Sequence, residues 1–244
     1  MKIVGLIPSR LNSSRLPSKA LLPVDGLPLV VHTMKRSMLA NSLDEVYVCT
    51  DSEEIAAAVT QHGGKAIMTS SKHVNGTERI AEAMRGLEAD YAVDIQGDEP
   101  LIDPNHIDRV VNEHLRHPEW DILVPSLPTS KPESPHIVKI VHDLQMRVVF
   151  MSRAVIPHPF RQRPAFYLKH LSIVSFKPAA LVRFASLPPS PMEISENVEL
   201  LRAIENGMTV GTMLLEGASF SVDVHDDYVR VQVQMATDAV RKLY

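Results

Sequence analysis

The chain has 244 residues, 45% of them apolar and 22% charged, with a formal net charge of −4. That length allows one large α/β domain or two small ones, and a core that needs no disulfide or structural metal. The mild negative charge argues against a nucleic-acid or membrane-surface protein, and the single cysteine, Cys49, leaves no internal disulfide and suggests no metal cluster. Ile3–Ile7 is a continuous apolar run, the pattern of a central parallel strand covered on both faces. The few apolar residues before Pro8 are too short a stretch for a signal peptide or a membrane span, so a cytoplasmic location is expected. Pro28–Ala40 has apolar residues at helical spacing, Glu45–Thr50 reads as the next strand, and Asp51 or Ser52 can cap a helix to about His62. Gly63-Gly64 ends it, Lys65–Met68 is a short strand, and Thr77 opens a helix to about Leu87. Tyr91–Ile95 is a fourth strand, and Pro104 starts a helix to about His117. Strands and helices alternating in this way imply βαβ crossovers and a mostly parallel sheet.

After Trp120 the pattern changes. Prolines at 125, 128, 132 and 135 suggest a connection with little regular structure. Val138–His142 and Arg147–Met151 then read as a hairpin, and Lys169–Phe176 as one more strand. Met192–Asn206 reads as a helix, Met208–Leu215 as a strand and His225–Leu243 as a C-terminal helix. This half is expected to be more antiparallel. Composition does not shift enough to separate two independent domains. The expectation is one domain over 1–244, with a nucleotide-binding part at about 1–120 and acceptor and dimerisation elements at about 121–210.

Five groups of residues carry chemistry. The loop after the first strand holds Arg10, Arg15 and Lys19, with no acidic residue from Met1 to Val24. A cationic loop at the carboxyl end of an α/β strand is where such folds hold phosphates. Ser13 and Ser14 add hydroxyl donors. The other reading is a solvated basic loop, which the strand-to-loop context disfavours. Neither G-x-x-x-x-G-K-[ST] nor G-x-G-x-x-G occurs, which argues against a P-loop kinase and a dinucleotide-binding dehydrogenase. Gln96-Gly97-Asp98-Glu99-Pro100 follows the fourth strand. A carboxylate there can hold magnesium, which takes one or two carboxylates and fills its shell with water and phosphate oxygens; a polar turn is the plainer reading. Asp223, between Val222 and Val224, is an odd place for a solvated charge and is a second candidate metal ligand. Asp226 and Asp227 fit the first turn of the next helix. Asn75-Gly76-Thr77-Glu78-Arg79 reads as a helix cap that could also touch a base or ribose. Finally, Arg153 could pair with a carboxylate, while the residues alone favour His170 as an ordinary sheet histidine. Cys49, in an apolar run, reads as a buried strand residue.

In their order, these motifs resemble those of the 3-deoxy-manno-octulosonate cytidylyltransferases. The resemblance rests on Ile7-Pro8-Ser9-Arg10, Arg15-Leu16-Pro17-Ser18-Lys19-Ala20-Leu21, Thr50-Asp51, Gly76–Arg79, Gln96–Pro100, Val138-Lys139, Met151-Ser152-Arg153 and Lys169-His170-Leu171. It implies a Rossmann-like nucleotide-diphospho-sugar transferase fold, with a mostly parallel central sheet and a smaller antiparallel dimerisation part. It implies transfer of CMP from CTP to the anomeric hydroxyl of 3-deoxy-manno-octulosonate, with release of pyrophosphate. Arg10, Ser13, Ser14, Arg15 and Lys19 would then hold the nucleotide's phosphates, with Gly76, Thr77 and Gln96 near the nucleotide. Asp98 and Asp223 would bind Mg2+. Lys19, Arg10 and Asp98 would be catalytic, and Arg79, Arg153, His170 and Glu199 would face the sugar acid. A cytoplasmic homodimer serving lipopolysaccharide biosynthesis, with no nucleic-acid or membrane partner, is also implied.

The chain departs from the family pattern at Val174, where a tyrosine is usual, at Leu200, where a glutamine is usual, and in the turn after Asp223. All three lie outside the nucleotide motifs. They leave room for another acceptor, an amino-modified octulosonate or a different 2-keto-3-deoxy acid. A non-catalytic nucleotide-binding protein is the reading from another class. It would not need Lys19, Asp98 and Asp223 together.

Overall fold

The N-terminal apolar run forms β1 (Ile3–Ser9), every residue of it buried. It belongs to a computed structural model that describes residues 1–11, 15–217 and 220–244. The expectations for Ser13 and Ser14 lie outside the described residues. A short hairpin follows, β2 (Pro23–Val24) and β3 (Leu27–Pro28), turning at Asp25-Gly26 with both φ positive. Then come α1 (Leu29–Ser37), β4 (Glu45–Thr50), α2 (Glu53–Gln61), β5 (Lys65–Met68), α3 (Gly76–Met84), β6 (Tyr91–Ile95) and α4 (Pro104–Arg116). Ser52 caps α2 by accepting from Ile55 N–H at 3.3 Å, and Asn75 caps α3 by accepting from Glu78 N–H at 2.8 Å. Each side-chain oxygen satisfies a helix-start N–H that has no carbonyl four residues back.

The chain divides into two compact units, residues 1–109 with 219–244, and residues 110–218. In the first unit the strand order is β5-β4-β1-β6, all parallel. The register pairs Leu6 with Tyr47 on one side and with Asp94 on the other, and Ser9 with Thr50. The loops after Ser9, Thr50 and Ile95 therefore emerge at the same edge, the carboxyl ends of the strands, where open α/β sheets bind ligands.

The second unit holds β7 (Ile122–Thr129), β8 (Lys139–His142), β9 (Val148–Ser152), β10 (Tyr167–His170), β11 (Ile173–Phe176), α5 (Pro178–Ser186), α6 (Pro191–Glu196), α7 (Leu200–Glu205) and β12 (Val210–Leu214). The chain then returns to the first unit for α8 (His225–Met235). Antiparallel pairs dominate the second unit: β7 with β10 and β11, β10 with β8, and β8 with β9. β12 joins β7 in parallel.

Several sequence expectations are corrected here. The proline-rich stretch begins as a regular strand, since β7 includes Pro125 and Pro128. Proline removes a donor but keeps its acceptor, and Pro125 O receives Leu171 N–H at 2.9 Å. The single strand expected over Lys169–Phe176 is two, β10 and β11. The helix expected over Met192–Asn206 is also two, because Asn197 takes a left-handed conformation (φ 52°) that asparagine tolerates and a helix cannot continue through. The C-terminal helix ends at Met235, and Val240–Leu243 is a separate 3-10 turn. In the α6–α7 pair, buried Arg202 makes a bidentate pair with Glu193, Nε to Oε2 at 2.7 Å and Nη2 to Oε1 at 2.5 Å.

His114 sits fully buried in the second unit, its Nδ1 2.7 Å from Ser175 Oγ and its Nε2 3.2 Å from Trp120 O. A carbonyl can only accept, so the neutral ring carries its proton on Nε2. Burial pushes its pKa down to about 4. The unfolded chain takes up this proton near the ordinary 6.5, while the folded chain resists until about 4. Acid therefore favours the unfolded chain across that window, and stability drops as pH falls from 6.5 toward 4. His114→Gln keeps a donor and an acceptor but does not titrate. In urea unfolding, the variant is expected to lose about 2 kcal/mol less than wild type between pH 7 and 4.5. Equal losses in the two proteins would contradict this.

Candidate active site

The basic loop of the first unit meets two carboxylates from distant parts of the sequence. Lys19 Nζ lies 2.6 Å from Asp98 Oδ2 and 3.6 Å from Asp223 Oδ1, and Arg15 Nη2 lies 2.8 Å from Asp223 Oδ1. Apolar packing sets this convergence. Leu16 is buried in a small cluster with Val24, Leu29, Val222, Val231 and Met235. Burying a leucine side chain contributes roughly 1.5–3 kcal/mol. Here that burial joins the residue beside Arg15 to the residue beside Asp223. The backbone adds a second tie, Val222 N–H to Asp98 O at 2.9 Å. Asp227 Oδ2 accepts from the N–H groups of Asp223 (3.1 Å) and Val224 (3.2 Å), securing the start of α8. This agrees with the expected role of Asp227 at the helix start.

The two carboxylate oxygens therefore face one point, now bridged by an ammonium group. A divalent cation fits that donor set. Among the described residues no group of three or more His, Cys, Asp or Glu side chains could hold a metal. Magnesium needs no such group, because phosphate oxygens and water complete its shell.

Beside this cluster lies a cleft of about 230 Å³ with Arg10, Arg15, Lys19, Asn75, Gly76, Gln96 and Asp98 in its walls. Gly97 is required by a close approach: a Cβ there would fall 2.9 Å from Pro8 O. Gln96 Nε2 donates to both oxygens of Asp94, at 3.0 and 3.1 Å. Arg79 is buried and reaches the same cleft, with Nη1 2.6 Å from Thr69 Oγ1 and Nη2 3.4 Å from Asp51. Thr77 is buried in the first turn of α3. A second cavity of about 270 Å³ shares Arg10, His73 and Arg79 with the first and adds Asp51, Ser52 and Ser71. His73 bonds Glu82 through Nε2, and Glu82 Oε2 also accepts from Ser70 N–H at 3.0 Å. Sequence reasoning missed His73 and Asp94: one lies in an aperiodic polar loop, the other inside an apolar strand. Cys49 is buried and inert, its thiol pushed up to about 12 by burial and then by the charge of Asp94.

The remaining expected residues lie in the second unit. Arg153 donates from Nε to Glu196 O (2.8 Å), from Nη1 to Pro135 O (2.9 Å) and from Nη2 to Asn197 O (3.0 Å). Much of its donor capacity thus braces backbone rather than facing outward. His170 Nδ1 lies 3.2 Å from Leu171 O, and burial, then the charges of Arg153 and Lys169, push its pKa down to about 4. Lys139 is buried against three carbonyls, Ser134 O at 3.0 Å, Ile137 O at 2.7 Å and Arg153 O at 2.5 Å. Burial, with the charge of Arg153 next, pushes its pKa down. Glu199 stands at the start of α7. Val174 and Leu200, the two departures from the family pattern, are both buried.

Comparison with known proteins agrees with this geometry. Residues 4–210 match the family model described as "Cytidylyltransferase". A 3-deoxy-manno-octulosonate cytidylyltransferase of Syntrophobacter fumaroxidans is 40% identical over 98% of this chain and 99% of its own. One of Chlorobium limicola is 42% identical over 86% of this chain and 87% of its own. Among solved structures, CMP:2-keto-3-deoxy-manno-octonic acid synthetase complexed with CTP superposes with a TM-score of 0.93 at 34% identity, over 97% of this chain and 99% of that one.

Proposed function

The chain belongs to the cytidylyltransferase family, with the 3-deoxy-manno-octulosonate enzymes as its relatives, and we propose that it transfers CMP from CTP to the anomeric hydroxyl of 3-deoxy-manno-octulosonate. The observation that carries this reading is the meeting of Lys19 and Arg15 with Asp98 and Asp223 beside a cleft walled by Arg10, Gly76 and Gln96. The sugar hydroxyl oxygen forms a bond to the α-phosphorus. The bond from that phosphorus to the α–β bridging oxygen breaks, pyrophosphate leaves, and the hydroxyl proton passes to solvent. Lys19 neutralises charge on the α-phosphate so that an anionic sugar can approach. Arg10 and Arg15 offset the charge growing on the departing pyrophosphate. Asp98 and Asp223 would hold Mg2+, which when bound supplies further charge neutralisation at the phosphate oxygens. Positioning and electrostatics suffice, with no covalent enzyme intermediate.

On this reading Arg79, Arg153, His170 and Glu199 serve the sugar acid, and Thr77 serves the nucleotide. A modified octulosonate or another 2-keto-3-deoxy acid is not favoured as acceptor, since the relatives that match nearly the whole chain are 3-deoxy-manno-octulosonate enzymes. The protein would act as a cytoplasmic homodimer in lipopolysaccharide biosynthesis. Among the described residues, no helix is long and apolar enough to cross a membrane. The test is pyrophosphate release from Mg2+ and CTP with a panel of acid sugars. Turnover is expected with 3-deoxy-manno-octulosonate above the rest. Tight CTP binding without turnover of any acceptor would sink the proposal.

A further inference from the structure

Asp94 is a buried carboxylate that the steps above do not use. It lies in β6, only 4% exposed, two residues before Gln96, which directly follows the strand. Gln96 lines the cleft and gives its amide nitrogen to both Asp94 oxygens. A glutamine amide has two chemically different ends, and only the nitrogen end can donate. Both Asp94 oxygens accept from that nitrogen, so the carboxylate holds the nitrogen end and turns the carbonyl end away.

We infer that Asp94 is a positioning residue that fixes the Gln96 amide, so that its carbonyl Oε1 faces the cleft and accepts a hydrogen bond from a hydroxyl or amino donor of a bound substrate. The inference rests on the proposed function for the identity of the substrates. Both offer such donors: the amino group and ribose hydroxyls of CTP, and the hydroxyls of the sugar acid. An oriented acceptor rejects a ligand that presents another acceptor there, because two lone pairs would then face each other unpaired.

Two single variants and their double variant test the arrangement. Gln96→Met removes the acceptor while keeping length and bulk. Asp94→Asn keeps the shape but offers a donor as well as an acceptor, so it no longer selects one end of the amide. The KM values for CTP and for the sugar acid, with kcat, are measured at one pH for wild type, Gln96→Met, Asp94→Asn and the double variant.

The expected result is a rise on the order of tenfold in one of the two KM values for Gln96→Met, and a smaller rise in the same KM for Asp94→Asn. Whichever KM moves identifies the substrate that supplies the donor. Because Asp94 acts through Gln96, Asp94→Asn should add nothing in the Gln96→Met background. Wild-type constants for Gln96→Met, a rise in a different constant for Asp94→Asn, or an Asp94→Asn penalty that persists in the Gln96→Met background would each overturn the inference. Should wild type itself show no turnover, the functional proposal fails. The dissociation constants of the same four proteins for Mg2+–CTP then decide whether Gln96 meets the nucleotide as described.

Discussion

Lys19→Ala is expected to lower kcat by roughly a hundredfold or more, with a smaller effect on KM for CTP. The Lys19 side chain is 15% exposed, and its ammonium group stands 2.6 Å from one candidate metal carboxylate and 3.6 Å from the other. A charge placed where the phosphate reacts is worth most in the transition state, when negative charge on the phosphate oxygens increases. Other cations of the loop, Arg10 and Arg15, still attract the triphosphate in the variant, so binding should suffer less than turnover. Steady-state pyrophosphate release measures both constants. Normal turnover would remove Lys19 from the mechanism. A large rise in KM with kcat intact would make it a binding residue only.

Asp98→Asn should reduce kcat by roughly a thousandfold at ordinary magnesium concentrations, and raise the magnesium concentration needed for half-maximal rate. The substitution preserves shape and removes one negative charge. It also weakens the pairing with Lys19, which still has Asp223 within 3.6 Å. A magnesium titration separates two roles. If Asp98 only orients Lys19, the half-activating concentration stays at the wild-type value while the maximal rate falls. If Asp98 holds the ion, that concentration moves upward.

The parallel half of the fold is legible in the sequence because β1 is covered on both faces and continuously apolar, strands and helices alternate after it, and side-chain caps open α2 and α3. The other half is harder to read because its ladder admits residues that look like punctuation. Pro125 and Pro128 sit inside β7, where the Pro125 carbonyl accepts a hydrogen bond and the missing donors are tolerated. Asn197 interrupts what looks like one helix through a backbone angle that sequence periodicity cannot register.

Much of the candidate site is legible through misplaced charge. The acid-free stretch around Arg10, Arg15 and Lys19 marks one half, and Asp223 between two valines marks the other. Asp94, between Val93 and Ile95, carries the same signal as Asp223, and its tie to Gln96 shows why a strand keeps a carboxylate there. What cannot be read along the chain is which charges meet. Arg15 and Asp223 are 208 positions apart, and packing around Leu16 and Val222 brings them together, with the Val222–Asp98 backbone bond.

That separation also has a kinetic meaning. The first unit is discontinuous, with residues 110–218 inserted between its two parts. The entropy of closing a loop grows only with the logarithm of its length, so the long excursion costs little more stability than a shorter one. Contacts between such distant residues are nonetheless slow to find. During synthesis, the loop carrying Lys19 is made long before the segment carrying Asp223. A nascent chain therefore presents Leu16 without the apolar partners of α8, and a basic loop without one of its carboxylates, until almost the whole sequence has been made.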